Sequence, residues 1–338
     1  MSDDLATDVP LAAEQAGITL EARFVPAPTS VSPAARARLS TPAPAKGPLP
    51  ALDDAAGWRA HVEAVNGAFA AMMREPMHRL PATVRTETIG GVVVHVAEPH
   101  DVPEENRDKA LVYLHGGALV LLGGECTELF ARQEAASNRV RVYAVDYRTP
   151  PDHPYPAALE DCVAVYRALL ETHGAERVVV SGASGGANLA AALPLRLREL
   201  GLPLPSAVAL LTPEVDLTES GDTFVTNREL DVVLPRGLPE MNRLYAAGAD
   251  LTDPLVSPLF GDFAPGYPPT YLQTGTRDLF LSNTVRMHRA LRRAGQVAEL
   301  HVWEAMPHGG FGGAPEDRER YDELAHFLAR HAGWAPPA

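Results

Sequence analysis

From about residue 84 onward the chain alternates short apolar runs with helix-length stretches, an order that few folds accommodate. Runs of strand length occupy 92–96, 111–114, 140–145, 178–180, 208–211, 271–273 and 300–303. They are apolar on both parities, which suits strands buried on both faces. Helical stretches lie between several of them, at 128–137, 157–173, 188–200, 282–294 and 315–331. The alternation predicts an α/β fold with a mostly parallel central sheet and helices on both faces. Residues Glu214 to Pro265 interrupt it with turns, Pro235, Pro239 and a helical piece near Pro239 to Ala247, so they read as an insertion between two strands. Pro194 predicts a kink or an early end in the helix that contains it.

The first 50 residues are different in kind. Pro26, Pro28, Pro33, Pro42, Pro44, Pro48 and Pro50 leave room for an extended arm with at most short helices. Residues 53 to 75 then carry Trp58, Val62, Val65, Phe69, Met72 and Met73 at spacings of three and four, the mark of one helix face packed on a core. On that face Phe69, Met72 and Met73 are candidates to line an acyl pocket. The expected organisation is an arm with a helical cap over 1–80 and a catalytic body over 81–335. The insertion at 214–265 contributes to the cover at one end of the sheet.

Composition narrows the function classes. A net charge of −14 disfavours phosphate backbones and anionic lipid, so neither nucleic acid nor a membrane surface is an expected partner. Cys126 and Cys162 make no disulfide framework and no metal-ligand spacing, and they read as packed, reduced thiols. Met1-Ser2-Asp3-Asp4 opens no signal-peptide pattern, and no apolar run approaches bilayer length. A cytoplasmic enzyme is the expectation.

The chemistry begins at Val178-Val179-Val180-Ser181-Gly182-Ala183-Ser184-Gly185-Gly186, a β-branched run entering G-x-S-x-G before a helix-compatible stretch. In that context the serine sits on a sharp strand-to-helix turn, small neighbours relieve the crowding, and the helix N-terminus favours developing negative charge. Ser184 is therefore the candidate nucleophile. A phosphate-binding turn would need the lysine of a P-loop or the spacing of G-x-G-x-x-G, and neither is present.

Upstream, Leu114-His115-Gly116-Gly117-Ala118 ends a strand with glycines that let backbone N–H groups approach a substrate oxygen. Gly116, Gly117 and Gly185 are the candidate oxyanion-hole positions, and His115 is expected to hydrogen-bond its own loop. His308, in a glycine-rich turn after the run ending at Trp303, is the candidate base, with a pKa suited to proton shuttling. Asp278, at the carboxyl end of the Tyr271-Leu272-Gln273 run, completes the chain order Ser, Asp, His and would hold the imidazole tautomer. The acid role is favoured over the rival role of capping the following helix, in which case Glu214 or Asp216 would serve as the acid.

Together these motifs resemble the hormone-sensitive-lipase-like bacterial esterases (family IV carboxylesterases) of the α/β-hydrolase superfamily. The likeness spans roughly 84 to 330 and includes Asp146-Tyr147-Arg148, His153-Pro154-Tyr155-Pro156 through Asp161, and Asp253-Pro254-Leu255-Val256-Ser257-Pro258. It implies an α/β-hydrolase fold of about eight strands, an N-terminal helical cap and a Ser184–Asp278–His308 triad. It also implies short to medium acyl esters as small-molecule substrates, and no cofactor or metal. The family places its donors on later glycines that match Gly117 and Ala118. A backbone donor survives the change to alanine provided the position does not require φ > 0. The elbow Gly182-Ala183-Ser184-Gly185-Gly186 departs from the family's usual wording. The Pro213-to-Thr223 segment is similar to relatives named as lactone hydrolases, so lactone cleavage by the same triad is the alternative reaction. An amidase and a non-catalytic ligand-binding module are the rivals, and a homodimer is possible.

Overall fold

The computed structural model describes residues 21–22, 24–41, 47–264 and 266–336. Residues 1–20, on which part of the arm expectation falls, lie outside them, as do 42–46. Eight strands are found among the described residues: β1 (Ala82–Ile89), β2 (Val92–Pro99), β3 (Ala110–Leu114), β4 (Arg141–Val145), β5 (Val178–Ala183), β6 (Ala207–Leu211), β7 (Thr270–Gly275) and β8 (Ala298–Trp303). They form one sheet in the order β1-β2-β4-β3-β5-β6-β7-β8. β1 and β2 pair antiparallel, as do β2 and β4, and every other pairing is parallel.

Strands β3 to β7 follow the expected apolar runs because each is covered on both faces, whereas β8, at the sheet edge, is mostly half-buried. One face carries α4 (Ala157–His173), α5 (Gly185–Glu199) and α8 (Leu281–Arg293), packing Leu159, Leu189 and Met287 with Val112, Val180, Leu210 and Leu272. The other carries α3 (Glu125–Asn138) and α9 (Pro315–Ala332), packing Ala131, Phe327 and Leu328 with Leu111, Val179, Ala209 and Tyr271. Each large apolar side chain so buried stabilises the fold by roughly 1.5–3 kcal/mol. α5 runs through Pro194 to Glu199, so the expected early end does not occur.

β1 was not among the expected strands. Its Thr83, Arg85, Thr86 and Glu87 give no apolar run, because it is an edge strand with much of its length in water. A tight Gly90–Gly91 turn, both residues at positive φ, joins it to β2 and pairs Ile89 with Val92.

Among its described residues the arm contains one short helix, α1 (Pro33–Leu39), as expected of a proline-rich segment. α1 docks on the chain that follows β8: Val31, Ala35 and Leu39 pack with Ala305, Met306, Phe311 and Ala314. Ser32 donates through its backbone N–H and its hydroxyl to Glu316 at 2.7 and 2.8 Å. α2 (Ala55–His78) starts at an Asp54 cap, whose carboxylate accepts the Gly57 N–H at 2.8 Å. The insertion after β6 holds α6 (Thr223–Thr226) and α7 (Pro239–Ala246). Among the described residues no helix is long and apolar enough to cross a membrane.

Candidate active site

Parallel pairing in register puts the carboxyl ends of β3, β5, β6, β7 and β8 along one rim. Leu114 is level with Gly182, Ala183 with Leu211, Leu211 with Gln273, and Gly275 with Trp303. Chain order also reverses beside β3, since β4 lies on one side of it and β5 on the other. Open α/β sheets form their crevices at such a point.

Ser184 occupies the turn between β5 and α5 with φ 54° and ψ −122°. An L-residue held at positive φ costs about 1–3 kcal/mol, which the surrounding packing must supply. The Ser184 N–H donates to the Leu211 carbonyl at 2.9 Å, and its own carbonyl accepts from Ala187 and Glu214 at 3.0 and 3.2 Å. The turn needs glycine on both sides. A Cβ at Gly182 would collide with the Gly186 carbonyl, and one at Gly186 with the carbonyls of Leu114 and His115.

The structure brings His308 and Asp278 to this serine. His308 Nε2 lies 2.9 Å from Ser184 Oγ, and its Nδ1 lies 3.0 Å from Asp278 Oδ1. Asp278 also accepts the Phe280 N–H at 2.9 Å, while its Oδ2 accepts the Thr274 hydroxyl at 2.7 Å. The N-cap of α8 is Phe280 and has no side-chain hydrogen bond, so Asp278 is not the cap of that helix. Burial alone would depress the His308 pKa, but the charge and hydrogen bond of Asp278, with the charges of Asp231 and Glu214, hold it above the usual imidazole value. The Phe280 ring stands edge-on to the imidazole at 4.9 Å.

The loops carrying acid and base are laced together: Thr276 and Arg277 donate to the carbonyls of Trp303 and Met306 at 3.0 and 3.2 Å, and Ala305 donates to Thr276 Oγ1 at 2.7 Å. A residue that spacing did not single out joins them. Asp231 is fully buried, and its Oδ1 accepts from the N–H groups of Val233 and Leu234 at 2.9 and 3.0 Å. Its Oδ2 accepts from Leu279 and from the backbone of His308 at 2.9 and 3.1 Å. One carboxylate thus ties the insertion, the acid loop and the base loop.

Across from the imidazole, the loop after β3 turns through Gly117 (φ 115°), Ala118 (φ 53°) and Leu119 (φ 62°). The alanine that replaces the family's third glycine does sit at positive φ, so the proviso attached to it fails and the position is strained by about 1–2 kcal/mol. Its donor nevertheless remains: among the described residues the N–H groups of Gly117, Ala118 and Gly185 have no acceptor. Gly116 packs against the elbow, where an added Cβ would lie 3.2 Å from the Ala183 carbonyl. His115 behaves as expected. Its Nδ1 meets the Gly116 carbonyl at 2.7 Å, and its ring stacks on Tyr147 at 4.0 Å. Burial lowers its pKa to about 4, so it stays neutral. The Tyr147 hydroxyl donates to the His115 carbonyl at 2.7 Å, and Arg148 grips Asp161 at 2.7 Å, so the resemblance motifs brace this loop from behind.

The wall over the site is a cluster of Trp58 and Val62 from α2, Ala118 and Val120, Phe224, Leu234, Leu238 and Met241 from the insertion, and Leu279 and Phe280. Phe69 and Met73 are not in it. They pack with Cys126, Leu129, Leu122 and Phe130 on the α3 side, and Met72 is 65% exposed. The stripe was real, but Trp58 and Phe69 are about 16 Å apart along the helix axis, so its two ends meet different neighbours. Cys126 and Cys162 are free and buried, and burial raises both thiol pKa values, Cys126 to about 11. Glu214 and Asp216, the substitute acids, make no hydrogen bond to His308. Asp216 pairs with Arg286 at 2.6 Å, and Glu214 is buried nearby.

This fold is that of the α/β hydrolases, and comparison with known proteins agrees. Residues 111–311 match the family model described as alpha/beta hydrolase fold. An acetyl-hydrolase of Streptomyces hygroscopicus is 35% identical over 208 residues, 61% of this chain and 69% of that protein. The putative acetyl-hydrolase LipR of Mycobacterium tuberculosis is 33% identical over 255 residues, 72% and 79% of the two chains. A crystallised esterase, 40% identical, has a TM-score of 0.85 and covers 93% of this chain and 99% of its own. A hormone-sensitive lipase from a metagenome library, 29% identical, has a TM-score of 0.71 with 81% and 96% covered. The chain belongs to the α/β-hydrolase fold family and, within it, to the hormone-sensitive-lipase-like esterases of family IV.

Proposed function

We propose that the chain hydrolyses short- to medium-chain acyl esters by two-step acyl transfer, with Ser184 as nucleophile, His308 as general base and acid, and Asp278 as the orienting carboxylate. The observation that carries this is the unbroken line from Ser184 Oγ through the imidazole to Asp278, at 2.9 and 3.0 Å, opposite three unpartnered backbone donors.

His308 Nε2 takes the hydroxyl proton as Oγ attacks the ester carbonyl. The N–H groups of Gly117, Ala118 and Gly185 receive the oxyanion, aided by the N-terminus of α5. The imidazolium then protonates the departing alcohol. Water entering by the same base releases the acid and restores the serine. The residues over 55–80 and 214–265 act as the cap, and Trp58, Leu234 and Leu238 limit the acyl chain. For assembly, the open edge of β8 favours pairing of two copies, which light scattering on the purified protein tests.

The test of the reaction is a panel of acyl esters from two to twelve carbons, with lactones and matched amides, run on wild type and Ser184→Ala. Turnover of short esters that disappears in Ser184→Ala is the expected result. Near-native activity in that variant would falsify the assignment.

A further inference from the structure

The cap helix α2 reaches the loop after β3 through one polar side chain. Asn66 is half-buried midway along α2, and its Oδ1 accepts the Leu122 N–H at 2.7 Å. Among the described residues no other side chain accepts an N–H from 117–122. The bond holds the N–H edge of the Leu121–Leu122 peptide, and the carbonyl edge of the same peptide bears on Gly117. A Cβ added at Gly117 would collide with the Leu121 carbonyl, so the two are packed without slack. The Leu121 N–H closes the turn on the Gly117 carbonyl at 2.8 Å. This turn holds Ala118, Leu119 and Leu122 at positive φ, besides Gly117. A backbone strained in that way persists only where its surroundings over-determine it. Beyond it, Thr127 Oγ1 donates to the Leu122 carbonyl at 3.2 Å, and the Gly124 N–H donates to Asp146 Oδ1 at 2.8 Å.

We propose that Asn66 is a positioning residue for ester hydrolysis: by holding the Leu121–Leu122 peptide it keeps the N–H groups of Gly117 and Ala118 aimed at the oxyanion. The inference rests on the esterase reading above. Without Asn66 the Leu122 N–H has to find another acceptor, the peptide is free to rotate, and the Leu121 carbonyl withdraws its support from Gly117. Donors of this kind matter most when charge has developed on the substrate oxygen, and much less for the neutral ester carbonyl. Asn66 therefore acts on the transition state and not on the binding of the ester. The cap helix then has two tasks. Trp58 and Val62 wall the site, and one turn after Val62 the same helix supplies the acceptor that fixes the hole.

The test follows hydrolysis of 4-nitrophenyl butyrate by Asn66→Ala and Asn66→Asp, together with inhibition by a trifluoromethyl ketone of matching chain length. The ketone's tetrahedral adduct with Ser184 presents an oxyanion to the same donors. Losing one such donor outright costs about 10²–10³ in kcat, so misaiming two in Asn66→Ala should lower kcat by about tenfold to a hundredfold. KM should stay within about twofold, and the inhibition constant should rise by the factor through which kcat/KM falls. Asn66→Asp keeps an oxygen toward Leu122 and should recover most of both. Alanine suits a helix at this half-buried position, and a circular dichroism melt checks the fold. Asn66→Ser, too short to reach Leu122, should match alanine and serves in its place if that variant unfolds. A kcat within about twofold of wild type in either variant overturns the inference. So does a fall that Asn66→Asp fails to recover, or one that leaves ketone inhibition unchanged. A bond that only secures the cap would raise KM and lower Tm without touching the ketone's affinity. Failure of the esterase reading looks different, since wild type would then neither hydrolyse the ester nor bind the ketone.

Discussion

Asp231 accepts the backbone N–H of His308 at 3.1 Å, so this histidine is held by its main chain as well as by its ring. The same carboxylate serves three other N–H groups. Asp231→Ala should strip all four of their acceptor and let the base loop drift. A displacement near 1 Å can cost about 10²-fold in rate, so kcat should fall by roughly that factor with a smaller change in KM. Asp231→Asn, which keeps one oxygen acceptor, should recover part of it. Steady-state kinetics on the two variants checks this, and equal KM and kcat effects would point to general loosening instead.

Asp278 Oδ1 lies 3.0 Å from the imidazole Nδ1, and in the proposed mechanism it orients the ring. Asp278→Asn preserves shape but favours the wrong tautomer, so kcat should drop about 10⁴-fold, whereas Ser184→Ala should cost on the order of 10⁶. Burst kinetics with a chromogenic ester separates the two: the serine variant loses the burst entirely, and the aspartate variant slows it.

The pH dependence follows from the sign of the His308 shift. Its pKa is held above the ordinary value, so the neutral base appears only at higher pH. The acid limb of kcat/KM should therefore have its midpoint above about 6.5. Removing the Asp278 charge should move that midpoint downward, measurable on the residual activity of Asp278→Asn.

Glu214 should leave a mark on stability. Burial pushes its folded pKa up to about 8, above the unfolded carboxyl value. Above an unfolded pKa of about 4.3 the unfolded chain gains charge that the folded site resists, so folding is disfavoured progressively up to pH 8. Glu214→Gln should be indistinguishable in this respect below pH 4. Relative to wild type it should gain on the order of 2–4 kcal/mol between pH 4 and 8. Urea unfolding of both proteins across that range would show a pH-independent difference if the carboxyl were ionised in the folded state.

How much of this was legible beforehand differs by residue. The buried parallel strands declared themselves because burial on both faces forces apolar residues at every position, as at Val178-Val179-Val180. β1 did not, because Thr83 and Glu87 satisfy an edge strand that water can reach. Ser184, Asp278 and His308 were readable from their place after strand runs, and the structure puts them in one hydrogen-bonded line. Asp231 was not, because it sits in an irregular loop and acts on backbone N–H groups, which leave no trace in the identity of their owners. Phe69, Met72 and Met73 shared a helical face with Trp58, but periodicity carries no information about which stretch of a long helix a given neighbour covers. Glu214 was noticed as a spare acid; that its carboxyl oxygens are buried without a partner among the described residues depends on which chains surround it.

The bond between Ser32 and Glu316 joins positions 284 residues apart. The α1 segment buries Val31, Ala35 and Leu39 against Ala305, Met306, Phe311 and Ala314, with Val232 of the insertion beside them. Neither segment can cover its own apolar face, and closing so long a loop costs entropy that only their mutual contact returns. The turn that bears His308 is therefore clasped from outside by a stretch that precedes the whole sheet, and loosening α1 would loosen that turn.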